Sequence, residues 1–323
     1  MRDVARLAGV SVATVSRVLS GKAIVSKSAK IKVETAVAAL NFVPSAAARA
    51  INSGRSHIVG ALVPTLSHEI FARFLDELER GLSRAGLSVV VATTGYDKEK
   101  ELHRATDLLN LGAEALVVSG LERAAGFDAL IDRHQVPVVA TSRFRQDADL
   151  PAIGYDNQGA ARLALDYLRE AGHRNIAVLS GPTVDNDRTG ERVLGLHGLL
   201  PPRAFFQTGR SIPEAIALAA SVVSALEPTP TALLCLSDVV AQGALIACKN
   251  AGMDVPTDIS VIGIDDLPSS AYTDPPLTSV HLPVGRMGDA TAAAIVAALE
   301  TGAPIHSEEI ASYLQVRASV TRA

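Results

Sequence analysis

Only two cysteines, Cys235 and Cys248, occur in the 323 residues. A disulfide framework is therefore excluded, and their apolar neighbours mark both as buried thiols of a reducing compartment. No apolar run approaches the roughly 18 residues that a membrane helix requires, and no secretory leader pattern is present. The expected location is the cytoplasm. The patterns that carry enzyme chemistry are missing too. No glycine-rich phosphate loop ends in Lys-Ser or Lys-Thr, no G-x-S-x-G elbow follows a strand, and the eight histidines fall into no metal-ligand spacing. No catalytic residue, metal or cofactor is expected.

What is present begins in the first sixty residues. Val4, Leu7 and Ala8 form one stripe of a short helix, and Gly9 can take a left-handed turn. Ser11 can cap a second helix whose Val15, Val18 and Leu19 face inward. Two short helices with a small residue at the bend form a helix-turn-helix, whose second helix presents its N-terminal part to a DNA major groove. Ser11, Val12, Ala13, Thr14, Ser16 and Arg17 are the residues on that surface. Short side chains permit close approach, serines donate to phosphate, and Arg17 can reach guanine or phosphate. A third helix capped by Ser26, with Ile31, Val33, Val37 and Leu40 as its apolar side, closes the small core.

Charge divides in the same way. Residues 1–57 hold nine basic and two acidic side chains, a balance of +7, whereas the whole chain is at -4 and the remainder therefore at -11. A phosphate-binding head on an acidic body fits this division, because the head must displace counterions and the body must not adhere to DNA.

From residue 58 onward short apolar runs alternate with helical stretches. Candidate strands are 58–63, 88–92, 115–118, 136–140, 176–179, 232–236 and 260–264; helical segments include 71–85, 99–111, 159–171 and 239–251. Strands buried on both faces with helices between them indicate doubly wound parallel sheets. About 265 residues of this pattern are too many for one small sheet, so two α/β lobes are expected. In such sheets ligands sit at the carboxyl ends of the strands, in the crevice between lobes. Polar residues at those ends are Thr65, Thr93, Ser119, Ser142, Arg143, Ser237 and Asp265.

Asp3-Val4-Ala5, Thr14 to Leu19, Asn41-Phe42-Val43-Pro44-Ser45 and Ala48-Arg49-Ala50-Ile51 resemble the headpiece and hinge of the LacI/GalR repressors. The resemblance continues through Gly154-Tyr155-Asp156-Asn157, Gly172-His173-Arg174, Val255-Pro256, Ile259 to Asp266 and Pro275 to Val280. It implies a helix-turn-helix domain at 1–43, a hinge helix and linker at 44–57, and a periplasmic-binding-protein-like effector-binding and dimerisation domain at 58–323. The N-lobe would comprise about 58–154 and 283–306, and the C-lobe about 155–282 and 307–323. Residues 45–51 would form a helix only on DNA, with Ala48 and Arg49 in the minor groove and Ile51 as the apolar wedge. Only Met1-Arg2 precede the Asp-Val-Ala stretch, where relatives carry a hydroxyl cap. Residues 195–202 are shorter than the corresponding loop of relatives.

In the body the resemblance assigns Arg192 to ligand hydroxyls or a carboxylate, Asp265 to hydroxyls and Phe71 to a ligand face. Ser237 stands where relatives carry an amide, and Asp238 is read as a helix cap. Arg188 and Arg210 fall near the same crevice, and either one turned inward beside Arg192 would favour an acidic ligand. The expected effector site is therefore Phe71, Arg143, Arg192, Arg210, Ser237 and Asp265. Together these readings describe a cytoplasmic transcriptional regulator, a repressor in kind. Pseudo-palindromic double-stranded operator DNA and a carbohydrate-like effector (sugar, sugar acid or sugar phosphate) are its partners. No leucine heptad follows Val316, so a homodimer rather than a tail-made tetramer is expected. The alternative is a plain sugar-binding protein with a non-functional head.

Overall fold

The computed structural model describes residues 1–20, 25–42 and 55–323. The chain divides into two compact units, Met1–His57 and Ile58–Ala323.

In the first unit three helices enclose a small core: α1 (Arg2–Ala8), α2 (Val12–Ser20) and α3 (Lys27–Ala39). Gly9 ends α1 at φ 62, the left-handed conformation that glycine adopts without strain. Ser11 Oγ accepts from the Thr14 N–H at 3.0 Å, and Ser26 caps α3 by accepting from Ala29. Nothing in the side chain of Met1 caps α1. The buried set is Val4, Ala5, Ala8, Val15, Val33 and Ala36, with Val18, Leu19 and Val37 packed against it.

Three residues expected inside turn outward: Leu7 is 57% exposed, Ile31 62% and Leu40 43%. The helical wheel explains this. Small alanines let the three helices approach closely, so the buried stripe of α1 is centred between Val4, Ala8 and Ala5, and Leu7 falls on its flank. Ile31 lies two positions from Val33 and hence on the opposite side of α3.

The second unit contains two six-stranded sheets. The first has the order β11-β5-β4-β3-β1-β2 and the second β12-β10-β9-β8-β6-β7. Strands β1 (Ile58–Val63), β2 (Ser88–Thr93), β3 (Ala115–Ser119), β4 (Val138–Thr141) and β5 (Ala152–Gly154) alternate with α4 (Glu69–Arg84), α5 (Lys98–Asn110) and α6 (Phe127–His134). After α7 (Asn157–Glu170), β6 (Ile176–Ser180) and α8 (Asp187–Leu196), a short turn leads to β7 (Phe205–Gln207). The second sheet continues through α9 (Ile212–Ala225), β8 (Ala232–Cys235), α10 (Asp238–Asn250), β9 (Ser260–Asp265) and β10 (Thr278–His281). Helix α11 (Val284–Thr301) precedes β11 (Glu308–Glu309) and β12 (Tyr313–Gln315). All pairings are parallel except that of β12 with β10.

Every residue of β3, β4, β6, β8 and β9 is buried, as strands covered by helices on both faces require. Helix α11 returns to the first lobe and lies tight on α4: a Cβ added at Gly288 would stand 2.8 Å from the Phe74 carbonyl oxygen. The chain thus passes between sheets after β5, after β10 and after β11. The third passage falls beyond Glu309 rather than at 306–307, because Glu308 and Glu309 still pair with Ile153 and Gly154 of the first sheet.

Strands β5, β7, β10, β11 and β12 are absent from the expectation drawn from apolar runs. Each has four residues or fewer. In β10 the polar Thr278 and Ser279 are fully buried, their needs met by neighbours: Ser319 Oγ accepts from the Thr278 N–H and Asp238 accepts from the Ser279 hydroxyl.

Candidate functional site

Between the carboxyl ends of the two sheets lies a cleft of about 840 Å³ including its mouth. The first lobe contributes His68, Glu69, Ile70 and Phe71 from the start of α4, Tyr96 from the turn after β2, and Ser142 after β4. The second contributes Asn186, Arg188, Thr189 and Arg192 around α8, Arg210 after β7, Ser237 after β8, and Asp265 at the end of β9. Of the expected effector residues, Phe71, Arg192, Arg210, Ser237 and Asp265 line this cleft.

At its floor Arg192 is held from three sides. Its Nε donates to Asn157 Oδ1 at 3.1 Å, and Nη1 donates to the Leu236 carbonyl at 2.6 Å and to Asp265 Oδ1 at 3.3 Å. Asn157 is itself fixed, donating to the Ser142 carbonyl at 2.9 Å. The guanidinium is therefore oriented before any ligand arrives. Because α8 and β9 belong to the same lobe, the Arg192–Asp265 pair does not bridge the two. Burial raises the Asp265 carboxyl to about 7, against the opposing pull of Arg192. At neutral pH it can both donate to and accept from a hydroxyl. Asp265 sits at φ 129 and Asp266 at φ 52, backbone conformations that non-glycine residues rarely hold and that concentrate at functional sites.

Two expectations need correction. Arg143 does not line the cleft: its guanidinium pairs with Asp187 at 3.2 Å and with Glu191, both on α8, so it ties the lobes together. Nor does Asp238 cap α10. Ser237 does, accepting from the Val240 N–H at 3.3 Å. The Asp238 carboxylate is buried inside the lobe, accepting from the Leu267 N–H (2.9 Å), the Ser270 hydroxyl (2.6 Å) and the Ser279 hydroxyl (2.6 Å).

Further contacts draw the lobes together around the cleft. The Leu121 N–H donates to Asp187 Oδ2 at 2.6 Å, Arg73 donates to the Asp266 carbonyl at 3.0 Å, and His68 Nε2 lies 3.2 Å from the Arg210 carbonyl. Tyr96, which the strand-end reading misses, lines the cleft between the lobes. Its signal in the sequence is the turn Thr94-Gly95-Tyr96 just past β2, where Gly95 and Tyr96 both have positive φ. A smaller polar pocket beyond Tyr96 and Arg188 takes in Ser119 and Thr94. Thr65 and Thr93 line neither pocket.

On the helical unit, Ser11, Val12, Ala13 and Arg17 are exposed, while Thr14 and Ser16 are half-buried. Ser11 and Thr14 share a hydroxyl–hydroxyl contact of 2.9 Å. The expected contacts Ala48, Arg49 and Ile51, and the hinge 45–51 as a whole, lie outside the described residues.

Residues 1–45 match the model of the bacterial regulatory proteins of the lacI family, and residues 165–320 match a periplasmic binding protein-like domain. The chain is 31% identical over 297 residues to the HTH-type transcriptional repressor PurR of Vibrio campbellii, covering 89% of this chain and 88% of that protein. With the HTH-type transcriptional regulator MalR of Streptomyces coelicolor the identity is 33%, covering 95% and 92% of the two chains. Among solved structures, the lac repressor dimer bound to operator and the anti-inducer ONPF superposes with a TM-score of 0.87 at 25% identity, over 99% of this chain and 98% of that one. In the described residues no helix is long and apolar enough to cross a membrane.

Proposed function

The chain belongs to the lacI family of bacterial regulatory proteins and is a DNA-binding transcriptional regulator, and from this we propose that a small carbohydrate-like molecule held between its lobes controls its affinity for operator DNA. The observation that carries the proposal is the Arg192–Asp265 pair, pre-oriented by Asn157 and the Leu236 carbonyl at the floor of the cleft. A planar, forked donor beside an acid that can both give and take a proton is suited to vicinal hydroxyls. Phe71, buried to 7% exposure at the cleft wall, supplies an apolar face for a sugar ring.

The work is regulatory rather than enzymatic, since the relatives are transcriptional regulators, and it takes place where operator DNA is, in the cytoplasm. A homodimer carries two heads to a pseudo-palindromic operator, as two-fold protein symmetry matches two-fold DNA symmetry. The superposition on a repressor dimer supports this reading. Effector bound between lobes shifts them, and the shift reaches the heads through the hinge. Effector affinity and operator affinity are then reciprocally coupled.

Calorimetry with a panel of sugars, sugar acids and sugar phosphates, set against amino acids and nucleobases, tests the ligand class. A member of the first group binds in the micromolar range; binding confined to nucleobases or amino acids replaces the carbohydrate reading. In the head, Arg17→Ala weakens specific operator binding by roughly 1–3 kcal/mol and relaxes preference at one operator position. Gel-shift selection on a randomised operator reads this directly. An unchanged preference would remove Arg17 from base reading.

A further inference from the structure

Charge around the cleft is unevenly compensated. Arg188 pairs with Asp187 at 3.0 Å, and Asp187 also faces Arg143, whose second partner is Glu191. Two guanidiniums there meet two carboxylates. Arg192 meets Asp265. Arg210 has no such partner: among the described residues no carboxylate oxygen lies within 4.0 Å of its guanidinium. The nearest acid in sequence, Glu214, caps α9, its Oε2 accepting from the Ser211 N–H at 3.0 Å and the Ser211 hydroxyl at 2.6 Å, and it attracts the Arg210 cation only from beyond ion-pair distance. Glu69, the other acid on the lining, is exposed at the start of α4.

Tyr96 holds this spare cation in place. The Arg210 guanidinium lies 4.3 Å from the centre of the Tyr96 ring, and that of Arg188 lies 5.9 Å from it. Stacking on a ring orients a guanidinium without neutralising it. Arg210 is itself exposed at the cleft, so a neutral ligand laid over it would displace its water and supply no counter-charge. A carboxylate or phosphate would accept its forked donors.

We infer that the effector carries an anionic group, a carboxylate or a phosphate monoester, that docks on Arg210 and Arg188 against Tyr96 while its hydroxyl-bearing part meets Arg192 and Asp265. This rests on the effector reading above and narrows it to acidic ligands. It also gives Arg210 a role as the residue that selects acid over neutral sugar.

The test is thermal-shift titration of the full chain at constant ionic strength. The probes are inorganic phosphate, D-gluconate against D-glucitol, and D-glucose 6-phosphate against D-glucose. At least one acid stabilises the protein saturably and binds roughly tenfold or more tighter than its neutral counterpart; the gluconate and phosphate arms separate carboxylate from phosphate recognition. Arg210→Met erases that difference, Arg210→Lys keeps part of it, and Arg203→Met, at an exposed arginine outside the cleft lining, preserves it. Neutral sugars binding as tightly as the acids, no stabilisation by any acid, or an Arg210→Met chain that still discriminates would each overturn the inference. Operator binding of the same samples is recorded separately. A chain that binds operator and responds only to neutral sugars refutes the anion subsite alone, whereas a chain that binds no operator refutes the regulator reading itself.

Discussion

An Asp238→Ala chain loses about 3–5 kcal/mol of unfolding free energy in urea titration, because three buried donors lose their common acceptor. The side chain is completely shielded from water and its carboxylate accepts from the Leu267 N–H and from the hydroxyls of Ser270 and Ser279. Truncation leaves all three donors buried without an acceptor, and each such orphan costs roughly 1–3 kcal/mol. Burial raises the Asp238 carboxyl, while the two hydroxyls and the Leu267 N–H pull it back. Those bonds also fasten the chain at the end of β9, where Asp265 and Asp266 hold their strained conformations. The variant therefore loses effector binding along with stability. Gly263 belongs to the same arrangement, since any Cβ there would collide with Asp238 Oδ1. A loss below about 1 kcal/mol would show that the carboxylate is dispensable.

Arg192→Ala has the second large effect, on response rather than on fold. Effector affinity falls roughly 100-fold or more, in line with the 2–5 kcal/mol that follows removal of one partner of a buried charge pair. Two things are lost together: the guanidinium at the cleft floor and the counter-charge of Asp265. Without Arg192, Asp265 lacks the nearby cation that favours its ionised form, so its carboxyl moves further up and its acceptor role weakens. Arg192→Lys does not restore the response, because an ammonium cannot satisfy Asn157, the Leu236 carbonyl and Asp265 at once from a planar fork. Operator affinity without effector stays within about threefold of the parent. A normal effector response in Arg192→Ala would contradict the assignment of the cleft floor.

The large features of this molecule are legible in its sequence because they rest on repeated signals. Apolar runs of four to six residues mark β1, β3, β6 and β9, and the serines at 11 and 26 announce their helices. Short strands carry too few residues for such a signal, and β10 hides further because its buried Thr278 and Ser279 are polar and find their partners only through the fold. Leu7 and Ile31 mislead for a different reason, since side-chain type alone does not say where the centre of a buried stripe falls when alanines do the packing. At the cleft, strand-end position identifies Ser237 and Asp265, and family likeness adds Arg192. Neither distinguishes Arg143, which joins the lobes, from Arg210, which lines the cleft. That distinction depends on where Asp187 and Glu191 stand, across more than forty residues of chain. Asp238 is misread in the same way: its partners Ser270 and Ser279 come from another strand and loop.

In the proposed function, occupancy of the cleft and occupancy of operator DNA are linked through one chain. Fluorescence-anisotropy titration of a pseudo-palindromic operator pool at fixed salt, with and without the ligand that calorimetry identifies, tests it most directly. Tight operator binding is expected, with a midpoint that shifts roughly tenfold or more with ligand in the parent and stays put in Arg192→Ala. Operator binding that the ligand leaves unmoved, although calorimetry shows the cleft to be filled, would contradict it.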